Sequence, residues 1–326
     1  MESKKHSVLG IEFWRQYVTT MRPYLLFISG AAGIVGLSFI ERVVMWRTAL
    51  AFVPLFLSYG LGQALTDCFQ TDTDALSSPY RPLVRKTISR RQVLAVSLIG
   101  LAVGVAILGY LNPVVLLFGS AAVAGLLTYT IFKRKWWGGP PWNSWIVALL
   151  PIIGRLTDRN FGVKDIFSVS DPYSLAFTIA VLAVFVGYAN FVVMGYFKDI
   201  SADRETGYRT FPVVFGWHAT AIYSDLLAGG VAFLTGWVIL SVGYFSIAGA
   251  VFYSAAVILS IAAQVGIHRT RDESEAHGPI ANVVRVFILY CMAMIVTFKL
   301  SWLLFVVLFY VLFELTLKLR PETSQV

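Results

Sequence analysis

The stretch Tyr173–Met194, YSLAFTIAVLAVFVGYANFVVM, contains no charged residue and is long enough for the roughly 20 apolar residues that one bilayer-crossing helix needs. Working outward from it, nine further apolar runs occur, at 24–40, 48–65, 92–111, 114–132, 142–157, 219–241, 244–266, 282–297 and 299–317. Only Lys299 separates the last two, but one helix over 282–317 would be about 54 Å long, too long for a single crossing. The whole chain is 57% hydrophobic and 13% charged, with a mean hydropathy of +0.72, outside the range of soluble domains. The sequence therefore predicts an all-α, polytopic transmembrane bundle of nine or ten helices. Residues 1–23 form a mostly polar N-terminal segment, 24–318 one transmembrane domain, and 319–326 a tail. Within the first segment, Ile11–Met21 reads equally well as an amphipathic interfacial helix or as a plain leader.

The basic residues set an orientation. With the N-terminus inside, the inner segments hold 20 of the 26 Lys and Arg residues, leaving Arg42, Arg47, Arg155, Arg159, Lys164 and Lys299 elsewhere. The positive-inside rule then places the inner loops in the cytoplasm, and the net charge of +8 is mostly this bias. No soluble basic domain exists that would bind nucleic acid. Two cysteines make neither a disulfide framework nor a metal quartet, and the four histidines are scattered without ligand spacing. No cleavable signal peptide or lipidation pattern is expected at the ends.

Directly after the opening stretch comes an acidic loop, YFKDISADRETGYRTFPVVFG, from Tyr196 to Gly216. A related loop, TDCFQTDTDALSSPYRP from Thr66 to Pro82, follows the run 48–65. Four predicted helices lie between the two loops, so both emerge on one face. A weak internal repeat links them: Asp74 precedes Pro79-Tyr80-Arg81-Pro82, and Asp203 precedes Tyr208-Arg209-Thr210-Phe211-Pro212. The intervening inner loop, FKRKWWGGPPWN from Phe132 to Asn143, is basic and aromatic, as an interfacial belt would be. Small residues in Gly30–Gly36 and at Gly100 and Gly104 would let helices approach closely.

The acidic loops suggest chemistry. If the helix of run 48–65 continues, Asp67, Gln70 and Asp74 share one face within about 60°, and Asp72 points away. Asp199 and Asp203, four apart, also share a face. Carboxylates converging at the mouth of a bundle repel one another unless a cation sits among them. Magnesium suits such a site, because it takes oxygen ligands and bridges carboxylates to phosphates. With Lys133, Arg134, Lys198, Arg204 or the arginine after each motif, such metals would neutralise a diphosphate leaving group. An allylic diphosphate would then ionise, its hydrocarbon chain lying among apolar helices that exclude water.

These loops resemble the signature loops of the UbiA-type intramembrane prenyltransferase family. The first family motif, Asn-Asp-x-x-Asp-x-x-x-Asp followed by Arg-Pro, maps onto Thr66, Asp67, Gln70 and Asp74, in register with Arg81-Pro82. The second, Lys-Asp-x-x-x-Asp-x-x-x-Gly-x-x-Thr-x-Pro-Val, is complete as Lys198, Asp199, Asp203, Gly207, Thr210, Pro212 and Val213. The segment Tyr129–Lys133 and Asn143 resemble the diphosphate-side loop, and Arg22-Pro23 is a weaker likeness. The resemblance implies nine helices around a lipid-accessible cavity, two Mg²⁺ ions, and prenyl transfer to a lipophilic, aromatic acceptor. It implies catalytic Asp67, Asp74, Asp199 and Asp203, with Gln70 joining them as metal ligands. Arg81, Lys133, Arg134, Lys198, Arg204, Tyr129 and Asn143 would hold the diphosphate. Gln70 and Thr66 depart from the pattern, which leaves a terpene cyclase of the same family as the alternative. A transporter is disfavoured, because transporters place charge at the bilayer midplane and these acids lie in loops.

Overall fold

The computed structural model of the chain describes residues 6–167, 171–241, 243 and 245–320. Its long helices are α1 (Ile11–Met21), α2 (Leu26–Ser38), α3 (Met45–Asp67), a short α4 (Thr71–Ser77), α5 (Arg90–Leu111), α6 (Val115–Lys133) and α7 (Gly139–Leu156). There follow α8 (Pro172–Gly195), a short α9 (Ile200–Glu205), α10 (Phe211–Leu240), α11 (Ile247–Arg269), α12 (His277–Phe298) and α13 (Leu303–Lys318). Among the described residues, eight of these are long and apolar enough to cross a membrane, and α1 with α2, bent by 48°, make a ninth. The less apolar α7 lies inside the bundle, where nearly all of its C-terminal half is buried. Most of the expected tail, 321–326, and residues 1–5 lie outside the described residues.

Burial sorts the helices into two layers. In α2 every side chain is buried, and 89% of the apolar stretch of α12 is buried, against 22% for α6, α11 and α13. α2, α7, α8 and α12 are therefore the core, and the others surround it and present apolar side chains to lipid. Phe27 of α2 meets Phe309 of α13 at 4.9 Å between ring centres, which closes the ring of helices. The α2–α7 contact depends on glycine. A Cβ on Gly154 would lie 2.5 Å from the Gly33 carbonyl oxygen, and one on Gly36 would overlap the Pro151 backbone. Gly36→Val is expected to cost about 3 kcal/mol or more, the upper end of overpacking penalties, read as a lower thermal midpoint in detergent. Gly229→Ala, where a Cβ meets nothing, is the control that should leave it unchanged.

Helix ends follow local chemistry. Ser89 and Gln92 form a capping box that starts α5, and the Asp171 carboxylate accepts the Tyr173 and Ser174 amides to start α8. At the end remote from the acidic loops, Arg47 donates to the carbonyls of Leu111 and Thr157 at 2.9 and 2.6 Å, and Arg159 donates to that of Leu111 at 3.0 Å. These cations satisfy the orphaned carbonyls at helix C-termini. Lys299 interrupts the last two helices as expected, with its backbone out of the helical region and its ammonium on the Glu41 carbonyl at 3.2 Å.

Three local expectations change. Ile11–Met21 is a helix, burying Phe13, Tyr17, Thr20 and Met21; the Tyr17 hydroxyl lies 2.8 Å from that of Ser97 on α5. α10 begins eight residues before the expected span, but Gly216 breaks it at φ 81, ψ 176. That left-handed backbone is accessible to glycine at little cost, so the spanning part starts after it. The third change concerns the first acidic loop. α3 does not continue past Asp67: Gln70 has φ −123, ψ 18, and the separate α4 starts after it. A continuous helix would have carried Asp74 about 10 Å beyond Asp67 along the axis, whereas the break folds α4 back over the bundle.

Candidate active site

Both acidic loops come together at one end of the bundle, as the even number of intervening helices requires. α4 packs on α9, and the hydroxyls of Thr73 and Thr206 lie 3.0 Å apart between them. Gly207, at φ 78, turns the chain after α9 so that Thr210 can donate to Asp203 Oδ2 at 3.1 Å. Beneath the loops lies a cavity of about 270 Å³ whose polar end carries Asp67, Gln70, Asp74 and Asp199 beside Arg22, Arg81, Lys133 and Lys198. Its remaining wall is formed mainly by apolar and small side chains of α3, α5, α6, α7 and α8, Leu57, Val103, Val123 and Phe191 among them.

The charged groups form a closed network. Asp67, at the end of α3, accepts from Arg22 Nη2 on both oxygens at 3.0 and 2.9 Å, and from Gln63 Nε2 at 2.6 Å. Arg81 forms a close ion pair with Asp74 and lies 3.8 Å from Asp67. Lys133 Nζ donates to Gln70 Oε1 at 2.9 Å and lies 3.8 Å from Asp203. Arg22 reaches its position because the α1–α2 bend holds it at φ 53, a left-handed conformation costly for a non-glycine residue. Asn143 Nδ2 and the Tyr188 hydroxyl are 3.5 Å apart, and Tyr188 donates to Tyr59 at 3.2 Å, all three on the cavity wall with Tyr129.

Two charged groups at this end each carry a buried atom without a hydrogen-bond partner. Asp203 is fully buried, yet its Oδ1 has no hydrogen-bond partner, and neither does the buried Nε of Arg81. One is an acceptor matched to a cation, the other a donor matched to an anion. Among the described residues no three acidic, histidine or cysteine side chains already stand close enough to hold a metal, because Arg22, Arg81 and Lys133 occupy the space between the carboxylates. The donor set nevertheless fits a hard divalent ion: carboxylate oxygens, an amide oxygen on Gln70, and an orphaned Asp203 oxygen.

The sequence of the chain decides its kinship. The sequence profile of the UbiA prenyltransferase family matches residues 24–282. The chain belongs to the UbiA prenyltransferase family. It is accordingly an integral, multi-pass membrane prenyltransferase, and the expected helical bundle is the fold observed. A protein named digeranylgeranylglyceryl phosphate synthase from Pyrococcus abyssi is 27% identical over 235 residues, 70% of this chain and 79% of that relative. A UbiA homolog from Aeropyrum pernix K1 superposes with a TM-score of 0.70 at 20% identity, covering 83% of this chain and 96% of that one. A UbiA homolog from Archaeoglobus fulgidus, solved bound to DMAPP and Mg²⁺, gives 0.62 at 18% identity, over 86% and 99% respectively.

In this UbiA-family chain the structure separates the candidate residues. Asp67, Gln70, Asp74, Arg81, Tyr129, Lys133, Asn143, Lys198 and Asp199 line the cavity, and Asp203 sits directly behind Lys133. Arg134 and Arg204 do not line it: both are exposed. Arg134 instead pairs with Asp72 at 3.1 Å on the rim and lies over the Tyr208 ring. Lys133 ends α6 and faces inward, and one residue is about 100° of helical rotation, enough to turn Arg134 to water. Sequence reasoning missed Gln63 and Tyr208 and left Arg22 outside the candidate site. Gln63 lies one helical turn before Asp67, the single local signal available. Tyr208, buried, stacks under both Lys133 and Arg134 at 5.3 and 4.6 Å from its ring centre.

Burial raises the carboxyl of Asp203 to about 6, opposed by Lys133, and raises Asp74 against the pull of Arg81. Both folded values exceed the unfolded ones, so the metal-free protein holds a proton-linked stabilisation that is complete below about pH 4 and disappears as pH rises through about 6. Thermal unfolding in chelator should show the midpoint falling across that window, with a shallower slope in Asp203→Asn. A flat wild-type profile would contradict the assignment.

Proposed function

We propose that this chain transfers a prenyl group from a prenyl diphosphate to a lipophilic acceptor, with the site on the cytoplasmic face. The observation that carries this reading is the cluster of Asp67, Asp74 and Asp199 with Arg22, Arg81, Lys133 and Lys198 at the polar end of a cavity whose other walls are apolar, with Arg81 Nε unpartnered there and Asp203 directly behind Lys133. Asp67, Gln70, Asp74, Asp199 and Asp203 would hold Mg²⁺, and the bound metal would neutralise charge on the departing diphosphate. Arg22, Arg81, Lys133 and Lys198 bind and orient the diphosphate, and the apolar wall takes the prenyl chain and keeps water from the carbon that reacts. The metal-free site already holds four acids against four bases. Metal alone therefore finds little excess negative charge there, and metal and diphosphate are expected to bind together, each strengthening the other. The bias of basic residues toward the acidic end supports the cytoplasmic orientation.

The product named for the Pyrococcus relative is a glyceryl phosphate lipid, which favours a prenylated glyceryl phosphate over an aromatic acceptor. The test is purified protein with geranylgeranyl diphosphate and Mg²⁺, alone, with a prenylglyceryl phosphate, and with a hydroxylated aromatic acid. Diphosphate release that requires the glyceryl lipid supports the reading. Release only with the aromatic compound moves the acceptor class, and cyclised hydrocarbon without any acceptor would overturn transfer altogether.

A further inference from the structure

A second cleft, of about 510 Å³, opens between α10 and α11 with α12 behind it. Its walls are short side chains and hydrocarbon, Ala228, Gly229, Ala232, Val257 and Ile261. Its mouth is marked by His268 Nε2 and Asp225 Oδ2, 2.7 Å apart and both partly exposed. One helical turn deeper, about 6 Å along α11, lies Gln264, and beyond it the hydroxyl of Tyr290 beside Ser260. The Gln264 amide nitrogen is buried without a hydrogen-bond partner, and the Tyr290 hydroxyl, on a side chain only 2% exposed, has no well-formed hydrogen bond. In membrane hydrocarbon such groups cannot fall back on water, so each costs free energy until something pairs with it.

The chemistry of the missing partner follows from the polar chain behind Gln264. Ser224 Oγ lies 2.6 Å from Asn190 Oδ1 and 3.1 Å from Gln264 Oε1. A single hydroxyl proton serves only one of these two oxygens well. Turning the Asn190 amide leaves the Gln264 nitrogen facing the cleft, and turning the Gln264 amide leaves its oxygen there. A hydroxyl group, which donates and accepts, satisfies either arrangement together with the Tyr290 hydroxyl. The apolar walls suit a long chain attached to it. Asn190 belongs to α8, whose Tyr188, Phe191 and Val192 line the first cavity, so α8 stands between the two sites and a molecule in the cleft has no access to the diphosphate.

We propose that the α10–α11 cleft is a second binding site, for a lipid alcohol, with its hydroxyl between Gln264 and Tyr290 and its chain along Gly229 and Ala232. The inference does not depend on which acceptor the enzyme uses, and its readout is occupancy rather than turnover. Full-length protein in nanodiscs is photolabelled with a diazirine-bearing long-chain alcohol. The expected label is saturable, falls on α10 and α11, and resists competition by geranylgeranyl diphosphate. Tyr290→Phe keeps the ring against Tyr253 and should weaken binding about fivefold, as loss of one hydrogen bond does. Gly229→Phe, where a side chain meets open space, should remove the label by filling the cleft. Unsaturable labelling, or equal labelling of Gly229→Phe, would mean ordinary surrounding lipid and overturn the site. Displacement by geranylgeranyl diphosphate would place the alcohol in the first cavity and overturn it as well.

Discussion

Asp199→Ala should lower kcat for prenyl transfer by about a thousandfold, about 4 kcal/mol of activation free energy, while leaving the fold intact. Asp199 precedes α9 in a non-helical conformation and its side chain makes no capping bond there, so its loss does not uncap that helix. It lies on the cavity wall and contributes one of four negative charges that balance Arg22, Arg81, Lys133 and Lys198. Without it the site becomes net positive in the absence of metal. Such a site still attracts a diphosphate but holds the cation poorly, so KM for the prenyl diphosphate should stay level or fall while kcat collapses. Asp72→Ala provides the contrast. That carboxylate meets Arg134 and lies near Tyr208 on the rim, both partners of the ion pair about half exposed, and exposed pairs contribute little. Its turnover should stay within a few-fold of wild type. Steady-state kinetics with unchanged thermal midpoints would separate the two, and Asp199→Ala turning over within tenfold of wild type would remove it from the site.

How much of this was legible in the sequence depends on the range of the interaction. Helix positions were readable because a bilayer imposes length and hydropathy on each segment independently: the run 173–194 became Pro172–Gly195, and 92–111 became Arg90–Leu111. The acidic loops were readable because Asp199, Asp203, Gly207 and Thr210 are spaced within one local unit. Helical phase also separates Asp72 from Asp67, Gln70 and Asp74, and Asp72 lies on the rim against Arg134, but through a different geometry. The helix assumed there is broken at Gln70, and the carboxylates converge because α4 folds back. Arg22 illustrates what could not be read. Its partner Asp67 is 45 residues away, and nothing in the local pattern of either residue announces the other. The same holds for Lys133 and its partner Gln70, the residue that departs from the family motif. An Asp at position 70 would accept from Lys133 as Gln70 does, but would add a fifth negative charge to a balanced network. The basic residues were the hardest to rank. Arg81 and Arg204 both follow an acidic motif, and only the fold shows one buried among carboxylates and the other in water.

Arg81→Met should destabilise the metal-free protein by about 3–5 kcal/mol, the cost of removing one partner from a buried ion pair, and Mg²⁺ should restore more stability to the variant than to wild type. Arg81 is buried against Asp74 and near Asp67, and those carboxylates hold its guanidinium charged despite the burial. Methionine fills comparable volume and leaves the two carboxylates facing each other, offset by Arg22, Lys133 and Lys198. Their repulsion then has two outlets, a proton or a divalent ion. At neutral pH with chelator the variant is driven toward protonation of Asp74, whose carboxyl burial already raises, so its stability should improve on acidification more steeply than that of wild type. Asp67 and Asp74 would then hold a divalent ion with no Arg81 cation to displace, so its affinity should rise. Diphosphate, by contrast, loses the Arg81 donor whose Nε is unpartnered, so turnover should fall even when stability recovers. Thermal midpoints with and without Mg²⁺, measured beside kcat, distinguish this from a packing defect: a defect would lower the midpoint equally in both conditions. Recovery of stability without recovery of activity is the result expected if Arg81 both offsets the Asp67 and Asp74 charges in the absence of metal and holds the diphosphate, as proposed.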